Sequence, residues 1–350
     1  METLKFIAFN AVKILVITHI LLGAVAYTVW LERKLIGRMQ NRWGPTRVGW
    51  FGLLQPIADG LKFIVKEDLL PPGVNKPLFL LAPLIAVVLA LTSLAVIPFG
   101  ESVTIGGTAY PLQITDVNIG LLVILGATSI GVYGIALAGW ASNSKYSLLG
   151  SLRASAQMIS YELSLGLSLV GVLMMSGSLS LREIVNSQAG GLLYWNMFGG
   201  LQFFAFFIYM ISAYAETNRI PFDLPEAETE LVAGYHTEYS AMKFAMFFMA
   251  EYANMFTAAS VATLLFLGGW HAPHPALMLG EPGSIAFVLS GVFWFVTKLL
   301  VFIFLYIWIR GTLPRFRYDQ LMAFGWKYLL PIAIANIIMT SLAMALGWRT

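Results

Sequence analysis

The sequence predicts an all-α polytopic membrane protein of about eight transmembrane helices, with a short amphipathic surface helix after the first span. Three observations predict it. Of 350 residues, 58% are hydrophobic and only 11% are charged, where an average soluble domain carries about 25% charged residues. The stretches Leu78–Phe99 and Ile119–Trp140 contain no charge over 22 residues each. At about 1.5 Å per residue each reaches roughly 33 Å, enough to cross a bilayer core. Finally, the basic residues crowd into alternate connections between the apolar stretches. The same composition excludes a soluble, disordered, collagen-like or disulfide-framework chain.

In chain order the apolar stretches lie near 4–30, 78–99, 119–140, 154–175, 197–215, 241–267, 285–309 and 328–346. The first is longer than a cleavable signal core. It ends in Trp30, Leu31, Glu32, Arg33 and Lys34 instead of a small-residue cleavage site. After it comes a basic connection in which Leu54, Ile57, Leu61 and Ile64 follow helical spacing, with Gln55, Asp59, Lys62 and Lys66 on the other face. That pattern predicts a helix lying in the membrane surface, either purely structural or bordering an entrance for a lipid-like substrate beside the first span.

The first, third, fifth and seventh connections hold Arg33 to Lys76, Lys145 and Arg153, Arg219 and Lys243, and Arg310 to Lys327, whereas the second, Gly100 to Asn118, holds no base. Basic connections stay on the cytoplasmic side of a bacterial inner membrane, which puts both termini in the periplasm. The net charge of +3 and pI near 9.0 follow from this topology and do not require a nucleic-acid partner. No linker or repeat divides the chain, so residues 1–350 are expected to form a single integral membrane domain. With no cysteine, the chain itself offers no disulfide and no thiolate for zinc or an iron-sulfur cluster. It also lacks a P-loop, a dinucleotide fingerprint and an HExxH metal motif.

Three ionisable residues, Glu162, Glu251 and Lys298, lie inside spans. Each costs about 2.5–3.5 kcal/mol at the bilayer centre, so each must face the bundle interior. Counted along ideal helices they sit roughly 12, 15 and 17 Å deep, nearly one level. The arrangement fits either a static ion pair between Lys298 and one glutamate, or carboxyls that carry protons.

The fifth connection is the densest in acids: Glu216, Asp223, Glu226, Glu228, Glu230 and Glu238, with Arg219 and His236 among them. A solvated loop would look similar in composition. Pro221 and Pro225 among apolar residues instead favour one extended conformation. If Pro225 opens a helix, Glu226 and Glu230 meet at i and i+4 and could share a proton.

These same segments resemble the quinone-proximal membrane subunit of respiratory complex I, the H-type subunit of NADH:quinone oxidoreductases. The resemblance is carried by Gly52 to Lys62 (GLLQPIADGLK) and Pro221 to Glu228 (PFDLPEAE). Further matches are Glu32 to Lys34, Gly44 with Pro45, Trp140 to Ser147 (WASNSKYS), Ser160 to Glu162, and Arg310 to Gln320 (RGTLPRFRYDQ). It implies quinone as substrate, with flavin and iron-sulfur clusters in partner subunits. It also implies contacts with hydrophilic iron-sulfur and quinone-chamber subunits and with adjacent membrane-arm subunits. Carried over by position, Glu32, Arg33 and Asp59 would border the quinone entrance, and Glu216, Arg219 and Asp223 the chamber wall. Glu226, Glu228, Glu230, Glu162, Glu251 and Lys298 would belong to a proton path. Because only Lys13 and His19 are available in the outer half of the first span, protons, or the electrostatic change that moves them, are expected to leave sideways into a neighbouring subunit. Three other readings stay open on sequence: the equivalent subunit of a membrane-bound hydrogenase type of complex, a stand-alone proton-coupled transporter, and a purely structural anchor.

Overall fold

The computed structural model describes residues 2–105, 108–223 and 232–347. Among the described residues ten α-helices carry the fold: α1 (Glu2–Met39), α2 (Gln55–Val65), α3 (Lys76–Ala95), α4 (Gly120–Ala141) and α5 (Lys145–Ser176), then α6 (Leu181–Ser187), α7 (Gln202–Glu216), α8 (Ala241–Phe266), α9 (Ile285–Thr312) and α10 (Tyr318–Ala345). A two-stranded hairpin, Val103–Ile105 with Thr108–Tyr110, lies in the second connection.

Hydrogen bonds between connections sort the chain into two ends. At one end, Asn75 N donates to Ala141 O at 3.1 Å and Phe316 N to Pro221 O at 3.1 Å, joining the first connection to the third and the fifth to the seventh. At the other, Leu121 N donates to Leu179 O, Thr104 N to Gly283 O and Leu192 N to Pro273 O. Odd connections therefore meet at one end and even connections at the other, and eight helices, all but α2 and α6, run between them. Six of these, α1, α3, α4, α5, α9 and α10, are long and apolar enough to cross a membrane by themselves. The 15-residue α7 is short, and α8 carries Lys243 and Glu251.

The expected stretches and the observed helices differ at their ends for local reasons. α5 begins nine residues before the apolar stretch at 154, and α10 ten before 328, because polar first turns such as Lys145 to Arg153 extend each helix past the hydrocarbon. α7 begins at 202, not 197, because Gly200 adopts φ 68 and breaks the helix.

Small residues bring the helices close, as is usual where apolar burial alone cannot drive helix association. Buried Ala82, Ala86 and Ala90 of α3 face α4, and a Cβ on Gly134 would stand 3.2 Å from Ala82 O. α5 occupies the middle, packing on α4, α7 and α10, and ends at Gly177 in the left-handed conformation. In α10 one π turn, Gly325–Leu329, lies beside Tyr161, whose hydroxyl donates to Leu321 O at 2.8 Å.

At the even end, side chains satisfy the last carbonyls of α8. Gln188 Nε2 donates to Leu264 O at 2.8 Å and Asn196 Nδ2 to Leu265 O at 2.7 Å. Lys298 Nζ uses all three of its protons on backbone carbonyls, Leu267 O at 2.6 Å, Gly269 O at 2.9 Å and His271 O at 2.7 Å. It also lies 4.0 Å from the centre of the Trp195 ring. A cation is favoured at this negative helix end. Burial and the neighbouring Lys298 ammonium push His271, in the connection after α8, down to about 4. The expectation that Lys298 shares a level with the glutamates is corrected: its amine sits at the C-terminus of α8, sixteen residues or roughly 24 Å along that helix from Glu251. Counting Cα depth missed the reach of the lysine stem.

The close contact of α4 with α5 gives a direct test. A side chain at Gly139 would collide with Ser151 and crowd the Ser147 carbonyl, whereas Gly126 on the same helix has nothing within 4 Å. Gly139→Ala is expected to cost about 1–3 kcal/mol by overpacking, and Gly126→Ala to be neutral or slightly stabilising. Thermal melting of the two variants in detergent checks the difference.

Candidate functional site

The first connection folds back so that α2 lies against α1 and α8. The predicted apolar face of α2 points outward, with Ile57, Leu61 and Ile64 each more than half exposed, as a helix embedded in a membrane surface requires. Its inner side, at Pro56, Gly60 and Phe63, closes an apolar cavity of about 380 Å³. Leu22, Val25 and Val29 of α1 and Phe244, Phe248 and Met249 of α8 form the other walls. At the rim Arg33 Nη1 pairs with Asp59 Oδ2 at 2.7 Å, and Gln55 Nε2 donates to Asp59 Oδ1 at 2.9 Å. At the inner end stands Tyr252.

Behind Tyr252 lies a buried network of two carboxylates and two guanidiniums. The Tyr252 hydroxyl donates to Glu32 Oε2 at 2.9 Å. Arg219 Nη1 donates to the same oxygen at 2.7 Å, and its Nε lies 2.6 Å from Glu251 Oε1. Arg310 Nη1 binds the other Glu32 oxygen. The Arg219 guanidinium also stacks 4.0 Å from the Tyr252 ring centre. With Arg219 2% exposed and Glu32 7%, neither charge has water to fall back on. Burial works against the charged form of Arg219, but Glu251, Tyr252 and Glu32 outweigh it and hold the guanidinium above the ordinary arginine range.

The loop that delivers Arg219 is pinned at both ends. Gln157 Nε2 of α5 donates to Ala215 O and Phe222 O, each at 2.8 Å. Phe222 stacks on Phe316, and Arg315 Nη2 donates to Asp223 Oδ2 at 3.0 Å. The segment through Asp223 is thus a fixed wall and not a solvated loop. Glu226, Glu228 and Glu230 lie outside the described residues.

The acids continue inward from the network. Glu251 borders a cavity of about 40 Å³ that also reaches Glu216, with Thr128, Asn218, Asn254 and Tyr235 in its walls. A neighbouring cavity of about 30 Å³ extends from Glu216 and Asn254 to Thr257. Each exceeds the roughly 10–15 Å³ that one water needs. Glu216 accepts a hydrogen bond from Thr128 and is an electrostatic neighbour of Glu162, which accepts from Ser129.

The fold therefore brings Glu32, Arg219 and Glu251 together, joins Arg33 to Asp59, sets Asp223 against Arg315 and aligns Glu216 with Glu162. Lys298 is not among them. Sequence reasoning missed Tyr252, Arg310, Arg315, Gln157 and Ser129. Tyr252 directly follows Glu251 and could have been found from that adjacency. Arg310 and Arg315 enter the sequence reading as topology-setting bases and within a resembling segment, with no partner assigned to either, and nothing about Gln157 or Ser129 distinguishes them in one dimension.

A family model described as NADH dehydrogenase matches residues 12–341. Over 97% of its length the chain is 69% identical to an H-type subunit of NADH-quinone oxidoreductase in Koribacter versatilis, of which it covers 98%. It is 51% identical to an H-type subunit of the same enzyme in Solibacter usitatus, over 99% of this chain and 98% of that one. With an H-type subunit of Geobacter metallireducens the identity is 54%, over 95% of each chain.

Removing one partner from a buried ion pair costs about 3–5 kcal/mol, because the remaining charge has no compensation. Arg219→Leu is expected to reduce the amount of intact assembly on a native gel after mild heating. Arg219→Lys should restore part of it, since a single ammonium cannot span Glu32 and Glu251 as the guanidinium fork does.

Proposed function

We propose a function from one premise: the chain belongs to the family of H-type membrane subunits of the NADH-quinone oxidoreductases. As a membrane subunit of that enzyme complex it has a part to play where quinone is reduced. The proposal is that the quinone tail enters through the apolar cavity between α1, α2 and α8, passing the rim at Arg33 and Asp59. The reacting head then faces the wall made by Tyr252, Glu32, Arg219 and Asp223, completed by hydrophilic partner subunits whose iron-sulfur clusters deliver the electrons. One observation carries this reading: a lipid-facing apolar cavity ends on Tyr252, whose hydroxyl is bonded into a buried acid–arginine network.

The same arrangement suggests how reduction is felt in the membrane. Adding electrons to a quinone puts negative charge on its oxygens before protons arrive. A unit charge about 8 Å from a carboxylate, at an effective dielectric near 20, raises that acid's proton affinity by about 2 kcal/mol. Arg219, shared between Glu32 and Glu251, is placed to shift toward the new charge and release Glu251. Glu251 and Glu216, which border one small cavity, and Glu162, the electrostatic neighbour of Glu216, would then take up protons in turn. On the positive-inside rule the odd connections face the cytoplasm and both termini the periplasm. Sideways exit into a neighbouring subunit remains part of this proposal.

A photoreactive quinone added to native membranes is expected to label residues 54–66 and 219–223. Absence of label from both segments would overturn the entrance assignment. In assembled complexes Glu162→Gln and Glu251→Gln should each lower the number of protons pumped per electron. A stoichiometry unchanged in both variants would remove these acids from the path.

A further inference from the structure

Away from the entrance, α7, α9 and α10 enclose a second cavity of about 820 Å³, a volume within the range of about 300–1,000 Å³ typical of ligand sites. It shares no lining residue with the first, and among the described residues no acid lines it. Its walls are apolar, with Phe206, Met210, Leu305, Ile309 and Phe324 prominent. Its lip at Phe207, Phe316 and Tyr328 is exposed, so it opens on the outer side of the bundle. The cavity lies at the odd end, where α7 and α9 finish and α10 begins, which is the headgroup level of the membrane.

Two polar features single it out. Tyr214 is only 4% exposed and lines the cavity, yet its hydroxyl has no hydrogen-bond partner among the described residues. Two bases adjoin lining residues in the chain: Arg317, the extended residue that opens α10, follows Phe316, and Lys327, within the π turn, precedes Tyr328. Arg310 and Arg315 are committed to Glu32 and Asp223. Arg317 and Lys327 are exposed and form no ion pair among the described residues. A basic pair flanking an apolar slot between helices at the cytoplasmic boundary is suited to the phosphate of an anionic lipid.

We infer that this cavity holds one acyl chain of an anionic phospholipid, with its phosphate between Arg317 and Lys327 and its ester region within reach of the Tyr214 hydroxyl. The occupant is a phospholipid and not a second quinone, because among the described residues no acid or arginine fork lines the slot. Bound there, it fills space between α7 and α10 that no described side chain fills, and it braces the segment carrying Arg310 and Arg315 from outside.

The test uses the intact complex, purified in mild detergent, and quantitative lipid mass spectrometry after extensive washing. The double variant Arg317→Gln/Lys327→Gln removes the phosphate contacts. Ala323→Trp, at a lining position, blocks the slot independently. Each is expected to lose one tightly held anionic phospholipid per complex relative to the unmodified protein, with quinone reduction retained when native lipid is supplied. Equal retention in all three forms would overturn the inference. So would loss of a zwitterionic lipid or a quinone in place of the anionic phospholipid, or a photo-crosslink from position 328 to another subunit in the complex without any lipid loss.

Discussion

Arg219 reaches across 187 residues of sequence to Glu32 and, from its other side, to Glu251. It is the point on which the rest of the site depends. Two carboxylates from α1 and α8 and a guanidinium from a connecting loop cannot be buried separately, since each bare charge in so dry a place would cost several kcal/mol. Satisfying them together fixes where α1 meets α8 and how deep the fifth connection must dip. Arg310 extends the same constraint to α9. Tyr252 ties it to the wall of the apolar cavity. Replacing the group with hydrocarbon could leave a stable bundle, so the network is better understood as a device for placement and response than as a source of stability.

Around that network the bundle is divided into two chemistries. The even end is closed by neutral amides and by Lys298, which spends its charge on backbone carbonyls and an indole ring. The odd half gathers the buried acids and most of the arginines, while the even end keeps the partly exposed pair of Arg182 with Asp116. On the proposed function, an asymmetry of this kind would let a charge change at the odd end be felt by Glu251, Glu216 and Glu162. It also gives the two buried sets of charges different surroundings: one caps a helix, and the other holds mutually dependent ion pairs.

Much of this was legible in the sequence. Apolar run lengths and the alternation of basic connections predict an all-α polytopic membrane protein of about eight spans, because a bilayer imposes length and charge rules that act on the chain locally, and six helices of the described residues are long and apolar enough to cross a membrane. The amphipathic spacing from Leu54 to Ile64 gave α2 and its place beside the first span for the same reason. The prolines at 221 and 225 signalled a fixed segment, and the structure fixes it through Gln157 and Arg315 as far as Asp223. Partner choice was not legible. Lys298 looked like a mate for a glutamate, since depth along a helix does not reveal how far a flexible side chain climbs or which carbonyls a neighbouring helix leaves open. Arg310 looked like one more topology-setting base, since its pairing with Glu32 exists only once α1 and α9 have been brought into register.

The central claim is that occupancy and charge at the cavity's inner end are transmitted through Arg219 to the buried acids. Infrared difference spectroscopy of the reconstituted complex, recorded as quinone is reduced, tests it most directly. The account predicts a carboxyl signal that disappears in Glu251→Gln and changes in size or position in Arg219→Lys, where the glutamate itself is intact. Identical difference spectra in the unmodified complex and in both variants would contradict it.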